Sequence, residues 1–369
     1  MTLPRLVLLC AATLLLAPAV PDAEAANTQN AQNAQKKKKA QARHAAKATR
    51  PAAAAAASYG PNETIRSFAA EVAERRGLDA AWIVKQLSQA RRVDAVQRLM
   101  MPPPAGTAKN WYAYRDRFVE PRRVAAGVAF WQENAAALQR AEERWGVPPE
   151  IVVGIVGFET FYGRITGSFR VIDALATLSF DFPSGRKDRS AFFRSELEEF
   201  LVLCEREQAD PQALKGSFAG AMGLAQFMPG SINRYALDFD EDGHVDLAGS
   251  ASDAIGSIAH YLAAFGWQRG LPTHYEVAVP VDSSDRAALL APDILPTFSA
   301  AQFEQAGARL AAAGSEHDGP LALVEVQNGE LAPSYVAGTT NFYAITRYNW
   351  SSYYALAVIA LGEAVRLGR

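Results

Sequence analysis

The chain has 369 residues, of which 49% are hydrophobic and 21% are charged, and its formal net charge at pH 7 is −2. This composition excludes a wholly disordered or fibrous protein and provides enough apolar material for two or three domains. Cys10 and Cys204 are the only cysteines, so a small fold stabilised by several disulfides is also excluded.

Residues 1–25 have the pattern of a secretory signal peptide. Arg5 precedes an apolar run over residues 6–20, and Ala23-Glu24-Ala25 offers a small-x-small cleavage site. A membrane anchor is the alternative, but the apolar run is short for a span. No small residue precedes Cys10, as a lipidation site would require. The sequence therefore predicts an exported, periplasmic and soluble protein.

Residues 26–58 form a low-complexity segment that contains seven basic residues and no acidic one, whereas the chain after it has a net charge of −8. Such a segment cannot bury enough apolar surface to order itself, which predicts a disordered linker. Its charge favours weak contact with an anionic wall or membrane surface, and a solvated spacer is the open alternative. Nucleic acid is not predicted as a partner, because no aromatic residues interleave with the basic ones.

Residues 59–146 are predicted to form an N-terminal helical domain. Ile65, Phe68 and Val72 share one helix face, and Gly77 is placed to end that helix. The prolines up to Pro104 interrupt the next helix. Four aromatic residues follow that fit either a ligand groove or, as the favoured interpretation, the core: Trp111, Tyr112, Tyr114 and Phe118.

The remaining chain predicts a catalytic core at 147–266, a small β-containing domain at 267–340 and a return to the core at 341–369. Three runs have strand composition, at 274–281, 321–327 and 334–348, and helices are expected near 300–313 and at 352–367. The predicted fold class is α+β and mainly α.

Glu159 ends an apolar helical stretch that starts at Val147. Val152, Val156 and Glu159 follow each other at helical spacing. Burial and the negative end of the helix both disfavour the carboxylate, so its pKa should be raised, as a general acid needs. Gly163 would then let the chain turn away. The equally open alternative is a buried glutamate paired with an arginine, such as Arg164 or Arg170.

A second segment, at 217–229, is rich in glycine. Gly220 and Gly223 remove side chains, so a ligand could approach the backbone, and Gln226 offers a neutral donor and acceptor for a sugar hydroxyl or amide. Taken alone, the segment could equally be a glycine motif for helix packing.

An acidic loop fits the beginning of a calcium-binding loop. Asp238, Asp240 and Asp242 stand at its first, third and fifth positions, the backbone carbonyl of His244 stands at the seventh, and Gly243 makes the turn. Because this many carboxylates would repel each other, a structural calcium, or sodium in its place, is favoured over a solvated acidic loop.

Three motifs in chain order carry a family resemblance: GVPPEIVVGIVGFETFYGR, GSFAGAMGLAQFMPGS and NFYAITRYNWSSYYALAV. They resemble the successive motifs of the membrane-bound lytic murein transglycosylase B family, which is related in fold to goose-type lysozyme, and the resemblance covers residues 60–369. It implies a lysozyme-like helical core, an N-terminal helical domain and a small inserted β domain.

The resemblance also implies the site residues. Glu159 matches the catalytic acid/base, and Asp253 would complete the metal site. The matched substrate-binding residues are Ser217, Met222, Gln226, Phe227, Tyr261, Tyr348, Asn349 and Tyr354. The family's adjacent arginines are not reproduced, so the sequence leaves open which of Arg186, Lys187 and Arg189 contacts substrate. The absence of a lipidation site means that the words "membrane-bound" are not carried over.

By this resemblance the chain cleaves the β-1,4 bond between N-acetylmuramic acid and N-acetylglucosamine in peptidoglycan, with intramolecular attack giving a 1,6-anhydromuramyl product. One acid then suffices, whereas most glycosidases use two carboxylates. Asp173 and Asp181 are candidates for a second acid, which keeps a hydrolytic muramidase open as the first alternative. The second is a non-catalytic peptidoglycan-binding protein. No organic cofactor is expected, and cell-wall synthesis proteins are expected partners.

Overall fold

The computed structural model describes residues 57–102, 109–280 and 282–369. The predicted signal peptide, and all but the last two residues of the predicted linker, lie outside these ranges. The described residues form many helices and two small antiparallel sheets, which confirms a mainly α protein of the α+β class. Among the helices of these ranges, none combines the length and the apolar character that crossing a membrane requires.

The first helices are α1 (Glu63–Arg76), α2 (Ala80–Ser88) and α3 (Asp94–Met100). Asn62 Oδ1 accepts a hydrogen bond from Ile65 N and so begins α1. Gly77 ends α1 in the left-handed region at φ 71°, as predicted. The buried face of α1 contains Ile65, Phe68 and Val72, which is also as predicted.

The central helices lead to Glu159 and away from it. They are α4 (Trp111–Asp116), α5 (Pro121–Glu133), α6 (Ala135–Trp145), α7 (Pro149–Thr160), α8 (Val171–Phe180), α9 (Ser190–Arg206), α10 (Pro229–Tyr235) and α11 (Ala251–Ala264). A two-residue ribbon, β1 (Phe169–Arg170) with β2 (Lys215–Gly216), joins the chain after α7 to the start of the glycine-rich segment.

The helix α7 packs closely against the last helix, α16 (Ser352–Leu367). Two glycines make this approach possible. A Cβ atom on Gly154 would lie 2.3 Å from Val358 O, and one on Gly362 would lie 2.0 Å from Glu150 O. The contact brings the C-terminal part of α7, which carries Glu159, beside the N-terminal part of α16, which carries Tyr354.

The larger sheet has the order β4-β3-β6-β5 and is antiparallel throughout. Its strands are β3 (His274–Ala278), β4 (Arg309–Leu310), β5 (Ala322–Asn328) and β6 (Leu331–Gly338). The short helices α12 (Ser283–Leu290), α13 (Ala300–Gln305) and α14 (Ala312–Ser315) lie between β3 and β5 in the chain, and α15 (Thr340–Tyr348) follows β6.

Two secondary-structure predictions are wrong in part. The run at 334–348 is a strand only as far as Gly338, because the Thr339 side chain accepts from Asn341 N and begins α15. The predicted helix at 300–313 is broken by Gly307, which has φ 78°, and by the strand β4. In both places a capping or turn residue outweighs the average composition of the segment.

The hydrophobic cores do not follow the sequence order of the predicted domains. One core joins α1, α2 and α3 to α8 and α9. A second core joins α5 and α6 to α7, α11, α15 and α16. A third, smaller core lies under the larger sheet. The division into 59–146, 147–266, 267–340 and 341–369 therefore stays a prediction.

Candidate active site

Glu159 occupies the last turn of α7. The chain leaves this helix through Phe161 and Tyr162, which have φ 50° and 55°, before it reaches Gly163 at φ 83°. The predicted turn is therefore present but begins two residues before the glycine. Arg123 Nη1 donates to Gly157 O at 2.6 Å, so a cation satisfies a carbonyl at the negative end of the helix.

The Glu159 carboxyl lies in an aromatic environment. Tyr354 OH donates to Glu159 Oε1 at 2.8 Å, and the ring of Tyr354 meets that of Phe158 edge-on at 4.7 Å between centroids. Burial raises the pKa of Glu159 to about 7, against the opposing effect of the Tyr354 hydrogen bond. The predicted direction of the shift and its main cause, desolvation, are confirmed.

The alternative of a buried glutamate paired with an arginine is wrong. Arg170 Nη2 lies 2.7 Å from Asp173 Oδ1, and the guanidinium of Arg164 lies over the ring of Phe161. Within the described ranges Glu159 forms no ion pair. The carboxyl is consequently free to exist in its neutral form near pH 7.

Tyr114 lies near Glu159, although the sequence favours packing in the core for it. Its ring packs on Phe118 at 5.2 Å. Burial raises the pKa of Tyr114, and the negative charge of Glu159 raises it further. Tyr114 therefore contributes to both the core and the site, and nothing in the spacing of the four aromatic residues distinguishes it from its neighbours.

Thr160 connects the helix of Glu159 to the glycine-rich segment, and the sequence analysis does not identify it. Its hydroxyl lies 3.1 Å from Val156 O and 3.2 Å from Leu224 O, and it accepts from Gly163 N at 3.1 Å. The residue is 0% exposed. A polar residue directly after an acid in an apolar helix is the only signal of this role.

The glycines of the second segment make close packing possible. Gly220 has φ 86°, and a Cβ there would lie 2.5 Å from Leu175 Cδ2. Gly223 has φ 70°, and a Cβ there would lie 2.4 Å from Leu247 O. The predicted approach of a ligand to the backbone at these two positions stays a prediction, whereas the alternative of a helix motif is wrong, since the segment forms turns.

Residues of the segment at 217–229 form hydrogen bonds that hold its loop together. Ser217 Oγ accepts from Ala221 N at 3.0 Å, and Met222 and Phe227 exchange backbone hydrogen bonds of 2.8 and 3.1 Å. Gln226 has φ 48°, and its Nε2 donates to Thr166 O and Gly223 O at 3.2 and 2.9 Å. The amide donors of Gln226 are thus used within the protein, which leaves Oε1 as an acceptor for a ligand.

The predicted aromatic residues form one continuous group that ends at Glu159. Ring centroids are 5.4 Å apart for Phe227 and Tyr261, 5.0 Å for Tyr261 and Tyr348, and 6.3 Å for Tyr348 and Tyr354. Tyr348 OH donates to Ala225 O. All four aromatic residues are buried, as is Asn349 at the end of α15. They support the wall of the site, while Glu159, Ser217 and Met222 are partly exposed.

The two candidates for a second acid are engaged elsewhere. Asp173 is paired with Arg170 and accepts from Arg91 N at 2.8 Å. Asp181 accepts from Tyr59 OH at 2.5 Å. Both carboxylates therefore connect α8 and its C-terminal end to the first part of the described chain.

Arg186 and Arg189 have partners within the chain. Arg186 Nη1 donates to Met100 O, and the guanidinium of Arg189 lies over the rings of Phe192 and Phe193 at 4.6 and 5.6 Å. Which of Arg186, Lys187 and Arg189 contacts substrate therefore stays open.

The acidic loop brings three of the four predicted aspartate ligands together. One carboxylate oxygen from each of Asp238, Asp240 and Asp253 lies within 4.8 Å of the others. Asp242 Oδ1 instead accepts from His244 N at 2.9 Å. The backbone carbonyl of His244, the fifth predicted ligand, stays a prediction. Three hard oxygen donors at this spacing fit calcium or sodium.

Comparisons with known proteins agree with this geometry. The family model described as "Transglycosylase SLT domain" matches residues 60–363. The chain is 42% identical over 320 residues to the membrane-bound lytic murein transglycosylase B of Escherichia coli K12, covering 84% of this chain and 85% of that protein.

Several solved structures are similar to this chain, and two of them follow. The E. coli lytic transglycosylase SLT35 in complex with calcium has a TM-score of 0.70 at 42% identity, covering 84% of this chain and 94% of that one. SltB3 of Pseudomonas aeruginosa in complex with NAG-anhNAM-pentapeptide has a TM-score of 0.69 at 30% identity, covering 84% and 80%. These similarities confirm the predicted lysozyme-like helical fold with small sheets.

Proposed function

Because the chain belongs to the family of transglycosylase SLT domains, we propose that it is a peptidoglycan lytic transglycosylase in which Glu159 is the acid and base. One observation supports the choice of Glu159 as the acid and base. Glu159 is a carboxyl with a pKa of about 7, held by the Tyr354 hydroxyl at the edge of an aromatic group. A general acid works best when its pKa lies near the operating pH.

In this reaction Glu159 donates its proton to the glycosidic oxygen between N-acetylmuramic acid and N-acetylglucosamine as the bond from that oxygen to C1 breaks. The muramyl C6 hydroxyl then attacks C1, and its proton passes to Glu159, which is restored to the neutral form. A C1–O6 bond replaces the C1–O4 bond, so no water is consumed. The substrate supplies the nucleophile, which is why one carboxyl suffices.

The groups around Glu159 position the sugars. Gln226 Oε1 and Ser217 would accept hydrogen bonds from sugar hydroxyl or amide groups, and Met222 would contact a ring face. The buried aromatic residues Phe227, Tyr261, Tyr348 and Tyr354 hold the wall rigid behind them, with Asn349 at the end of α15. The polar groups of Gln226 and Ser217 are then dipoles that are oriented before the reaction, and such dipoles stabilise positive charge as it develops at C1.

A hydrolytic muramidase is the nearest alternative. It would need an activated water or a second carboxylate, and both Asp173 and Asp181 have partners in the first part of the described chain. Mass spectrometry of digested murein separates the two reactions. We expect muropeptides that end in 1,6-anhydromuramic acid, each one water lighter than the hydrolytic product. Reducing ends throughout would show a muramidase, and intact murein would favour a binding protein.

We propose that Asp238, Asp240 and Asp253 hold a structural calcium, with sodium as a substitute. The proposal is supported by the spacing of their oxygens and by the calcium in the similar SLT35 structure. The ion would neutralise the acidic loop between α10 and α11, and it would take no part in the reaction. No organic cofactor is required by the chemistry.

The protein is proposed to act outside the cytoplasm, where peptidoglycan is found. The signal-like residues 1–25 support export, and the basic segment 26–58 supports weak contact with the anionic wall or the membrane surface, where cell-wall synthesis proteins would be partners. The intact mass of the exported protein checks the first point, since cleavage after Ala25 should leave a chain that begins at Ala26. An uncleaved chain would contradict it.

Tyr354→Phe tests the environment of Glu159. The Tyr354 hydrogen bond stabilises the carboxylate, so its loss should raise the pKa of Glu159 and move the alkaline limb of the rate profile upward, on the order of one pH unit. Tyr353→Phe is the control, because the Tyr353 hydroxyl accepts from Gln327 N at 2.7 Å instead. An alkaline limb that stays at its wild-type midpoint in Tyr354→Phe would contradict the assignment.

A further inference from the structure

Arg347 lies beside the aromatic group of the site and has no acidic partner. It is the penultimate residue of α15 and directly precedes Tyr348. Its backbone oxygen accepts from Tyr261 OH at 2.7 Å. Within the described ranges its guanidinium makes no ion pair with any carboxylate and donates only to Tyr343 OH, at 3.4 Å. The charge of Arg347 is therefore uncompensated.

Three aromatic rings hold this guanidinium in place. Its central carbon lies 5.1 Å from the ring centroid of Phe265, 5.7 Å from that of Trp350 and 5.8 Å from that of Tyr343. Tyr343 and Trp350 meet edge-on at 6.0 Å. All of these side chains are partly exposed. A planar cation fixed by aromatic faces, with its remaining N–H groups open, is well suited to bind a carboxylate through two hydrogen bonds.

The position of Arg347 connects it to Glu159. Phe265 packs on Tyr261 at 4.6 Å, and Tyr261, Tyr348 and Tyr354 continue the series of rings to the Glu159 carboxyl. Arg347 thus stands at the far end of the same aromatic group. By contrast, Arg186 donates to the backbone oxygen of Met100.

We infer that Arg347, with Tyr343 and Trp350, binds a carboxylate of the peptide that branches from the glycan strand. The inference rests on the proposed function, because it takes peptidoglycan as the substrate. It is supported by charge complementarity, since the strand's sugars provide hydroxyl and amide groups while its stem peptides carry free carboxylates. The similar SltB3 structure contains a ligand with a pentapeptide.

The test compares two substrates, soluble glycan strands that carry their peptides and strands from which an amidase has removed them. The lactyl carboxylates that the amidase frees on the stripped strands are converted to amides, so that only the first substrate carries carboxylates. Arg347→Gln should reduce kcat/KM on peptide-bearing strands about ten-fold, as expected for the loss of one charge-assisted hydrogen-bonded pair. The reduction should come through KM. On stripped strands Arg347→Gln and the wild type should be equal. Arg347→Lys, which keeps the charge, should recover part of the peptide-dependent rate.

Arg144→Gln is a matched control. Arg144 also lies over an aromatic ring, that of Trp145, at 4.7 Å, but it belongs to α6 and is exposed. It should leave kcat/KM unchanged on both substrates. An equal loss on both substrates in Arg347→Gln would show a role in packing only, and no loss on either would show that Arg347 does not touch substrate. A wild-type protein that cleaves neither kind of strand would instead contradict the proposed function.

Discussion

Glu159→Gln should fold normally and lose glycan-cleaving activity by about three orders of magnitude, in the middle of the range that a positioned general acid contributes. The amide occupies the volume of the carboxyl and can still accept from Tyr354 OH, but it has no proton to give to the leaving oxygen. The rate of release of 1,6-anhydromuropeptides from purified murein measures the effect. A variant that retains more than a tenth of the wild-type rate would exclude Glu159 as the acid and base.

The stability of Glu159→Gln should not fall with its activity. Above about pH 7 the variant should be at least as stable as the wild type. The folded-state pKa of Glu159 is raised from 4.5 to about 7. Below pH 4.5 the group is neutral in both the folded and unfolded states, so it has no linkage effect there. Above about pH 7 it is charged in both, and the folded state bears a cost of roughly 3 kcal/mol. Glu159→Gln removes that cost, so its melting temperature at pH 8 should equal or exceed that of the wild type.

Glu150→Gln is the control for both measurements. Glu150 lies in the first turn of the same helix α7, where an acid is favourable at the positive end. Its replacement should leave the rate unchanged and lower the stability slightly. Comparison of Glu150→Gln with Glu159→Gln distinguishes a general effect of charge on α7 from the chemistry at the C-terminal end of that helix.

The reaction should also depend on pH in a direction set by the acid. Because Glu159 must be protonated to begin the reaction, kcat/KM should fall as the pH rises through about 7. The opposite trend, with activity appearing only as the pH rises through 7, would mean that Glu159 acts first as a base.

The sequence predicts elements well where local signals and core contacts agree. Helix α1 has an apolar face and Gly77 at its end, and both are visible in the sequence. Helix α15 has a strand-like composition, with Phe342, Ile345 and Tyr348 among its residues, and its helical state depends on the Thr339 cap and on packing against distant segments. Composition alone cannot supply those contacts.

The residues of the candidate site divide in the same way, into those that have a local sequence signal and those whose roles depend on distant contacts. Glu159 is visible as an acid at the end of an apolar helical stretch, whereas its hydrogen bond joins residues 195 positions apart in the sequence. Thr160, Tyr114 and Arg347 have no distinctive spacing, and their roles come from the segments that folding places beside them. The purpose of Gly220 and Gly223 is likewise set by Leu175 and Leu247, which no local pattern identifies.

Calcium should raise the melting temperature of the wild-type protein by several degrees, because an ion that binds only the folded state stabilises it by about 2.7 kcal/mol at a concentration of 100 Kd. The protein is first treated with chelator in sodium-free buffer, since sodium could already fill the site. Asp238→Asn should abolish the shift. The amide keeps one of the two oxygens that accept from Asp242 N and Gly243 N, so the fold itself should persist.

Two further variants distinguish the ligands from their neighbours. Asp253 is 0% exposed and accepts from Phe239 N, Asp240 N and Asp246 N at 2.7, 3.3 and 2.8 Å. Asp253→Asn should therefore lower the melting temperature even without calcium, because an amide cannot accept all of these bonds as well as a carboxylate does. Asp242→Asn should keep most of the calcium shift, since its carboxylate lies outside the group of three. Melting curves that coincide with calcium and with chelator in the wild type would refute the site.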